Sequence, residues 1–204
     1  GTLPNRISWQ FSIAYGVLAF LVNYYALIPL YGNLSIHLGQ IIVVVCLITR
    51  GEKSALVALF LSSLGLYFST NSFPLVALTI AELLVLMLLF RKGVLLIIAD
   101  MVFWAVIGIP VTLVTLLFAY DINSTDFTQV ILIKQALNGL LNVSIATMFR
   151  AFIPFTWYCP QINIKPPKLS KRIFELCLIS IAIPSLIVMF VLSDSSADKL
   201  ERQL

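Results

Sequence analysis

From Ile7 to Thr49 the chain contains no Asp, Glu, Lys or Arg, and its one histidine, His37, falls inside that run. A stretch of this length cannot present a charged surface to water. It does fit two passages through a hydrocarbon core of about 30 Å, each needing about 20 residues. Charge-poor runs recur after Glu52-Lys53 and again after Arg91-Lys92. Composition agrees: 60% of the residues are hydrophobic and 11% are charged, against about 25% charged in a soluble domain. The expected fold is therefore an all-α polytopic membrane helix bundle, and a soluble enzyme is excluded. The net charge of +4, from 13 Lys and Arg against 9 Asp and Glu, is assigned to cationic cytoplasmic loops, so no nucleic-acid partner is expected. Cys46 and Cys177 lie in apolar runs and Cys159 sits beside a basic loop, so no disulfide is expected.

The breaks between runs set the organisation. The chain opens on Gly1-Thr2 and shows no n-region, apolar core and cleavage site ordered as in a secretory signal, so the first run is expected to be a retained span. Pro29, Gly32 and Asn33 divide it into helices near 8–28 and 35–49. The turn-rich Ser69-Thr70-Asn71-Ser72-Phe73-Pro74 separates helices near 54–68 and 74–90. A fifth span runs from Gly93 to Tyr120 with a kink expected at Pro110, a sixth from about Phe127 to Phe155, and a seventh near 173–193. Residues 1–158 thus form a six-helix core, 159–172 a basic cytoplasmic loop, and 173–204 a seventh helix with the start of an extracytoplasmic helical linker. Arg6, Arg50, Lys53, Arg91, Lys92, Lys165, Lys168, Lys171 and Arg172 fall on one side of this arrangement. The positive-inside rule then places the N-terminus in the cytoplasm and the acidic loop 121–126 outside.

Ionisable groups inside a span are costly and mark function by default. Glu82, Asp100 and Lys134 are such groups, and counted along their helices Glu82 and Lys134 reach one level, where they could form a pair. That pair would serve equally as a ligand contact or as a buried ion pair fixing helix packing. Lys134, Asn138 and Asn142 recur at spacing four with Gln135 and Gly139 alongside, a polar stripe that cannot face lipid and that would either line a site or tie helices together. Asp100 and Trp104, one turn apart, make a polar floor. Asn23, Tyr24, Tyr25 and Tyr31 gather ahead of His37 and Gln40; Asn23, Tyr25 and His37 join the ligand-binding candidates, against an interfacial aromatic belt for the tyrosines and a capped or solvated histidine. Ser54, Ala58 and Ser62 form a small-residue ridge suited to close helix contact. No phosphate-binding loop, metal-ligand spacing or nucleophile elbow is present, so neither cofactor nor metal is expected, and Glu82 with Lys134 lacks the nucleophile a membrane enzyme would need.

Three segments carry a resemblance: Thr79-Ile80-Ala81-Glu82-Leu83, then Ala99 to Trp104 with Gly108-Ile109-Pro110, then Lys134-Gln135-Ala136-Leu137-Asn138-Gly139-Leu140-Leu141-Asn142. Together they resemble the multi-span N-terminal sensor domain that precedes histidine kinase or diguanylate cyclase modules in bacteria. Its six-helix core is similar to the S components of energy-coupling-factor vitamin transporters, the vitamin-uptake-like group, over most of residues 7–155. The resemblance implies a pocket in the outer half of the bundle among Glu82, Trp104, Lys134 and Asn138. It implies a ligand-sensing input domain in the bacterial inner membrane, itself not an enzyme, whose partners are a small-molecule or lipid-like ligand and membrane lipids, with a homodimer open through the full-length parent. No kinase or cyclase motif is present. The alternative is a substrate-binding S component of a vitamin-type transporter; the charged run Asp198-Lys199-Leu200-Glu201-Arg202 looks like the start of a continuing helix and favours the sensor.

Overall fold

The computed structural model describes residues 9–29, 35–119 and 125–153, with isolated positions between 170 and 188. The chain is mostly helical. Helix α1 is Trp9–Tyr25, α2 Gly39–Arg50, α3 Glu52–Thr70 and α4 Phe73–Arg91. Helices α5 (Leu96–Phe103) and α6 (Ile109–Ala119) are joined by a π-helical turn, Trp104–Gly108, into one rod, and α7 is Thr125–Phe152. Four segments are long and apolar enough to cross a membrane: Glu52–Thr70, Phe73–Arg91, Leu96–Phe118 and Ile131–Arg150. The seventh span near 173–193, the basic loop 159–172 and the linker beyond it fall largely outside the described residues, although the isolated positions between 170 and 188 are helical.

The second span departs from expectation. With 12 residues, α2 is about 18 Å long at 1.5 Å per residue, too short to cross the bilayer. Between α1 and α2 the chain forms a short antiparallel bridge in which Ile28 pairs with Ile36 and Pro29 with Ser35. Pro29 cannot continue a helix ladder, and Ser35-Ile36 lies back alongside Ile28-Pro29 ahead of α2.

The ends of the helices are aligned by contacts. At one end the Arg50 guanidinium stacks over the Phe11 ring at 3.9 Å, and Arg91 Nε lies 3.5 Å from Glu52 Oε1. At the other end α3 stops at Asn71, which adopts the left-handed conformation (φ 50°) and donates its N–H to Tyr67 O at 2.7 Å; Asn tolerates that conformation better than most residues. Arg50, Glu52 and Arg91 thus mark a single face of the bundle.

Helix α1 lies along α3. A Cβ at Gly65 would stand 2.6 Å from the Phe20 carbonyl oxygen, so only glycine permits this backbone approach. The ridge Ser54, Ala58 and Ser62 is buried, and its role is packing within the chain. Helix α2 is apolar on nearly all sides and accordingly sits in the middle, touching α1, α3 and α7. Its Val43, Val44 and Leu47 join Ala55, Ala58, Leu83, Leu86, Ala99, Val143 and Ala146 in the core. Hydroxyls that would be orphaned in apolar surroundings bond back along their own helices, as Thr79 does to Leu75 O at 2.9 Å and Thr147 to Val143 O at 2.7 Å.

The expected kink at Pro110 takes the form of the π turn immediately before it. Ile109 N–H reaches back to Trp104 O, five residues rather than four. Proline has no N–H to offer and its ring clashes with the carbonyl four residues earlier, here Val106; widening the preceding turn relieves both problems.

Candidate functional site

Helices α2, α4, α5 and α7 bring together the polar groups the sequence scatters. Glu82 on α4 faces Asp100 on α5, Gln40 on α2 and Trp104 in the π turn, and Asp100 in turn faces Glu82 and Trp104. All four are buried, Asp100 completely and Gln40, Glu82 and Trp104 to within 5%. On α7 the wall is Gly139: a Cβ there would lie 2.7 Å from Glu82 Oε1 and would overlap the Trp104 indole nitrogen. Glycine at this position lets a carboxyl and an indole press against the helix backbone.

Proximity does not produce well-formed hydrogen bonds. Glu82 Oε1, both carboxyl oxygens of Asp100, Trp104 Nε1 and both amide atoms of Gln40 are buried with no hydrogen-bond partner. Each such group costs about 1 to 3 kcal/mol, and native interiors carry few of them. Their convergence from separate helices makes this cluster the candidate site.

The centre stands level with the middle of α4 and α7. Glu82 is the central residue of the 19-residue α4, and Gly139 lies near the middle of the 28-residue α7. Because α2 begins at this depth, its N-terminus, the positive end of a helix dipole, opens beside the two carboxyls.

The expected Glu82–Lys134 pair is not present. Lys134 is buried, but its Nζ reaches Gln135 Oε1 at 3.4 Å and its charge acts on His37. Equality of depth did not decide the partner. Five residues separate Lys134 from Gly139, which turns its side chain about 140° around α7, away from the helix face that Glu82 meets.

The rest of the α7 stripe ties helices together. Asn138 Oδ1 accepts the His37 N–H at 3.2 Å, and Asn142 Nδ2 donates to the His37 carbonyl at 3.1 Å. Two amides one turn apart therefore hold both backbone polar groups of His37. With its oxygen so occupied, Asn138 turns Nδ2 toward the ring, 3.0 Å from His37 Nε2; Nε2 accepts and the ring proton sits on Nδ1. His37 is thus buried and clamped rather than solvated. Asn23 is likewise committed: its Nδ2 donates to Ser62 O at 3.0 Å and Ser62 Oγ at 2.9 Å, and its Oδ1 accepts from Gly39 N–H at 2.9 Å. Tyr25 is 77% exposed and stacks edge-on with Tyr24, which removes it from the site. Tyr31 lies outside the described residues.

Of the sequence candidates, Glu82, Asp100 and Trp104 share the centre, Asn138, Asn142, His37 and Asn23 build the scaffold, and Lys134 sits beside His37. Gln40 is the member that sequence reasoning passed over. Its signal was present, an amide standing one residue inside an otherwise apolar helix. Comparison with protein-family models, curated proteins and solved structures returns no match.

Proposed function

We propose that this chain is a membrane-embedded ligand-sensing input domain of a bacterial signal-transduction protein, a histidine kinase or diguanylate cyclase, and that its ligand is recognised at the Gln40–Glu82–Asp100–Trp104 centre. The reading takes the six described rods as a sensor core, with the span near 173–193 as a seventh helix leading to the output. The core lies in the bacterial inner membrane with its N-terminus in the cytoplasm. One observation carries the proposal: buried polar atoms without partners converge, level with the middle of α4, from α2, α4, α5 and the π turn. Asn23 and Asn138 are bonded through both the oxygen and the nitrogen of their amides, whereas the buried Gln40 amide in the centre is bonded through neither. Ligand binding supplies switching free energy to the extent that it favours one helix arrangement over another. The half-length α2, held to α7 through His37 and to α1 through Gly39, is the element a guest beside Gln40 would displace.

A transport subunit of the vitamin-uptake-like type is a second reading, because every residue named in the centre lies within the six-helix core. Accumulation of ligand in vesicles containing an ATPase partner would favour it. Mass spectrometry of small molecules co-purifying with the full chain tests the site itself. A species retained by the wild type and lost from Glu82→Gln and from Gln40→Leu supports the centre as the binding site. Identical species in all three preparations would overturn it.

A further inference from the structure

We infer that the guest of the Gln40–Glu82–Asp100–Trp104 centre is a monovalent cation, either free or as the charged end of a small molecule. The inference rests on the binding reading above and gives it a ligand class. Two carboxyl groups, one wholly buried and one 3% exposed, stay charged here only with a positive charge beside them and otherwise hold protons; the described residues supply little such charge. A buried charge without a partner is among the most costly arrangements a protein can contain.

The nearby cationic groups are committed elsewhere. Lys134 turns away to Gln135 and His37, and the His37 ring accepts from Asn138 through Nε2. At the marked face Arg50 lies over Phe11, and Arg91 pairs with Glu52. Lys53, on that same face, is exposed. Arg150 is eleven residues beyond Gly139 on α7, about 16 Å along the helix. The N-terminus of α2 contributes roughly half a positive charge, which is too little to balance the carboxyls when they are ionised.

The donor set suits one positive charge. Glu82 Oε1, the two Asp100 oxygens and Gln40 Oε1 are oxygen ligands without partners, while Trp104 Nε1 can steady a carboxyl oxygen from the side. Among the described residues no set of three His, Cys, Asp or Glu converges, and two carboxyls with one amide fall short of the six to eight oxygens that calcium takes. The contact of Glu82 and Trp104 with the α7 backbone at Gly139 keeps the guest small, on the scale of an alkali ion or a primary ammonium group.

The test uses the purified full chain in lipid nanodiscs, with Trp9→Phe and Trp157→Phe so that Trp104 alone reports. Sodium, lithium, potassium and methylammonium chlorides are titrated at constant ionic strength against bulky N-methylglucamine chloride, and both Trp104 emission and the thermal midpoint are read. A saturable response to at least one of these cations is expected, its affinity weakened about tenfold or more in Glu82→Gln and in Gln40→Leu. Saturation by an alkali ion identifies a metal-ion guest; saturation by methylammonium alone identifies the charged end of an organic ligand. Gln40→Leu keeps both carboxyls and serves if a carboxyl variant does not fold. Equal, unsaturable responses to all salts would overturn the cation inference. If a neutral or anionic co-purifying compound were then lost from the same variants, the binding reading would stand; if none were, both would fall.

Discussion

Glu82 and Asp100 illustrate what a linear count of residues can and cannot establish about a buried charge. Their depth follows from 1.5 Å of rise per residue, but their partners depend on rotation about each helix and on which helices are neighbours. Glu82 meets Asp100 across the contact between α4 and α5, whereas Lys134 points toward His37. A thermal-melt cycle on the purified chain distinguishes the two pairings. Glu82→Gln combined with Asp100→Asn should be non-additive by about 0.5 kcal/mol or more, as expected of groups in contact. Glu82→Gln combined with Lys134→Met should add to within about 0.5 kcal/mol, and strong coupling there would restore the pair this structure lacks. The Asn138 clamp supports a second prediction. Asn138→Leu strands the His37 N–H and ring Nε2 in the interior and should destabilise the fold by about 1 to 3 kcal/mol for each group left unsatisfied. An unchanged melting temperature would mean that other groups replace the amide. The candidacy of Glu82, Asp100, Trp104 and the α7 stripe was legible because polar residues stand out against apolar runs. Their division into a centre around Glu82 and a clamp on the His37 backbone was not, since it depends on hydrogen-bond geometry that spacing alone does not encode.

At the scale of elements, the four spans from α3 to α7 were readable because turn residues separate long apolar runs, and their ends fall within a few residues of expectation. The start of α2 was not. An uncharged run from Ile7 to Thr49 has length enough for two full spans, and nothing in its hydropathy says that α2 will begin at mid-depth. What sets that start is a group of tertiary hydrogen bonds, Asn23 to Gly39 and α7 to His37, made by residues far apart in sequence. Pro110 offers the sharpest test at this scale. Replacing it with Ala restores an N–H and removes the ring clash, so the π turn should tighten to α geometry and rotate Asp100 and Trp104 by about 100° relative to α6. Trp104 is 5% exposed and should be quenched weakly by brominated lipid in the parent lacking Trp9 and Trp157, and strongly once Pro110→Ala turns it outward. Unchanged quenching would assign the π turn to the packing of Trp104 on Gly139 rather than to the proline.

For the whole molecule, the orientation in the membrane decides which solution reaches the mid-level centre first. The contacts of Arg50 with Phe11 and of Arg91 with Glu52 gather one face of the bundle, and Lys53 and Lys92 project from that face exposed. The turn at Asn71-Ser72 lies at the opposite end of α3 and α4 and has no cation beside it. In the proposed orientation, which follows the positive-inside rule, the cationic face would be cytoplasmic and the β bridge between α1 and α2 external, above the N-terminus of α2. The Gln40–Glu82–Asp100 centre would then be approached from outside past the clamped His37, and the bundle beneath it, closed by Val43, Val44, Leu47 and Leu86, would bar passage inward. With Cys46, Cys159 and Cys177 replaced by Ser, a single cysteine introduced as Ser72→Cys should react with an impermeant thiol reagent in intact cells, whereas Lys92→Cys should react only after the membrane is opened. The reverse pattern would invert the molecule and make the apolar plug the outer barrier, so that any guest of the two carboxyls would have to arrive from the cytoplasm.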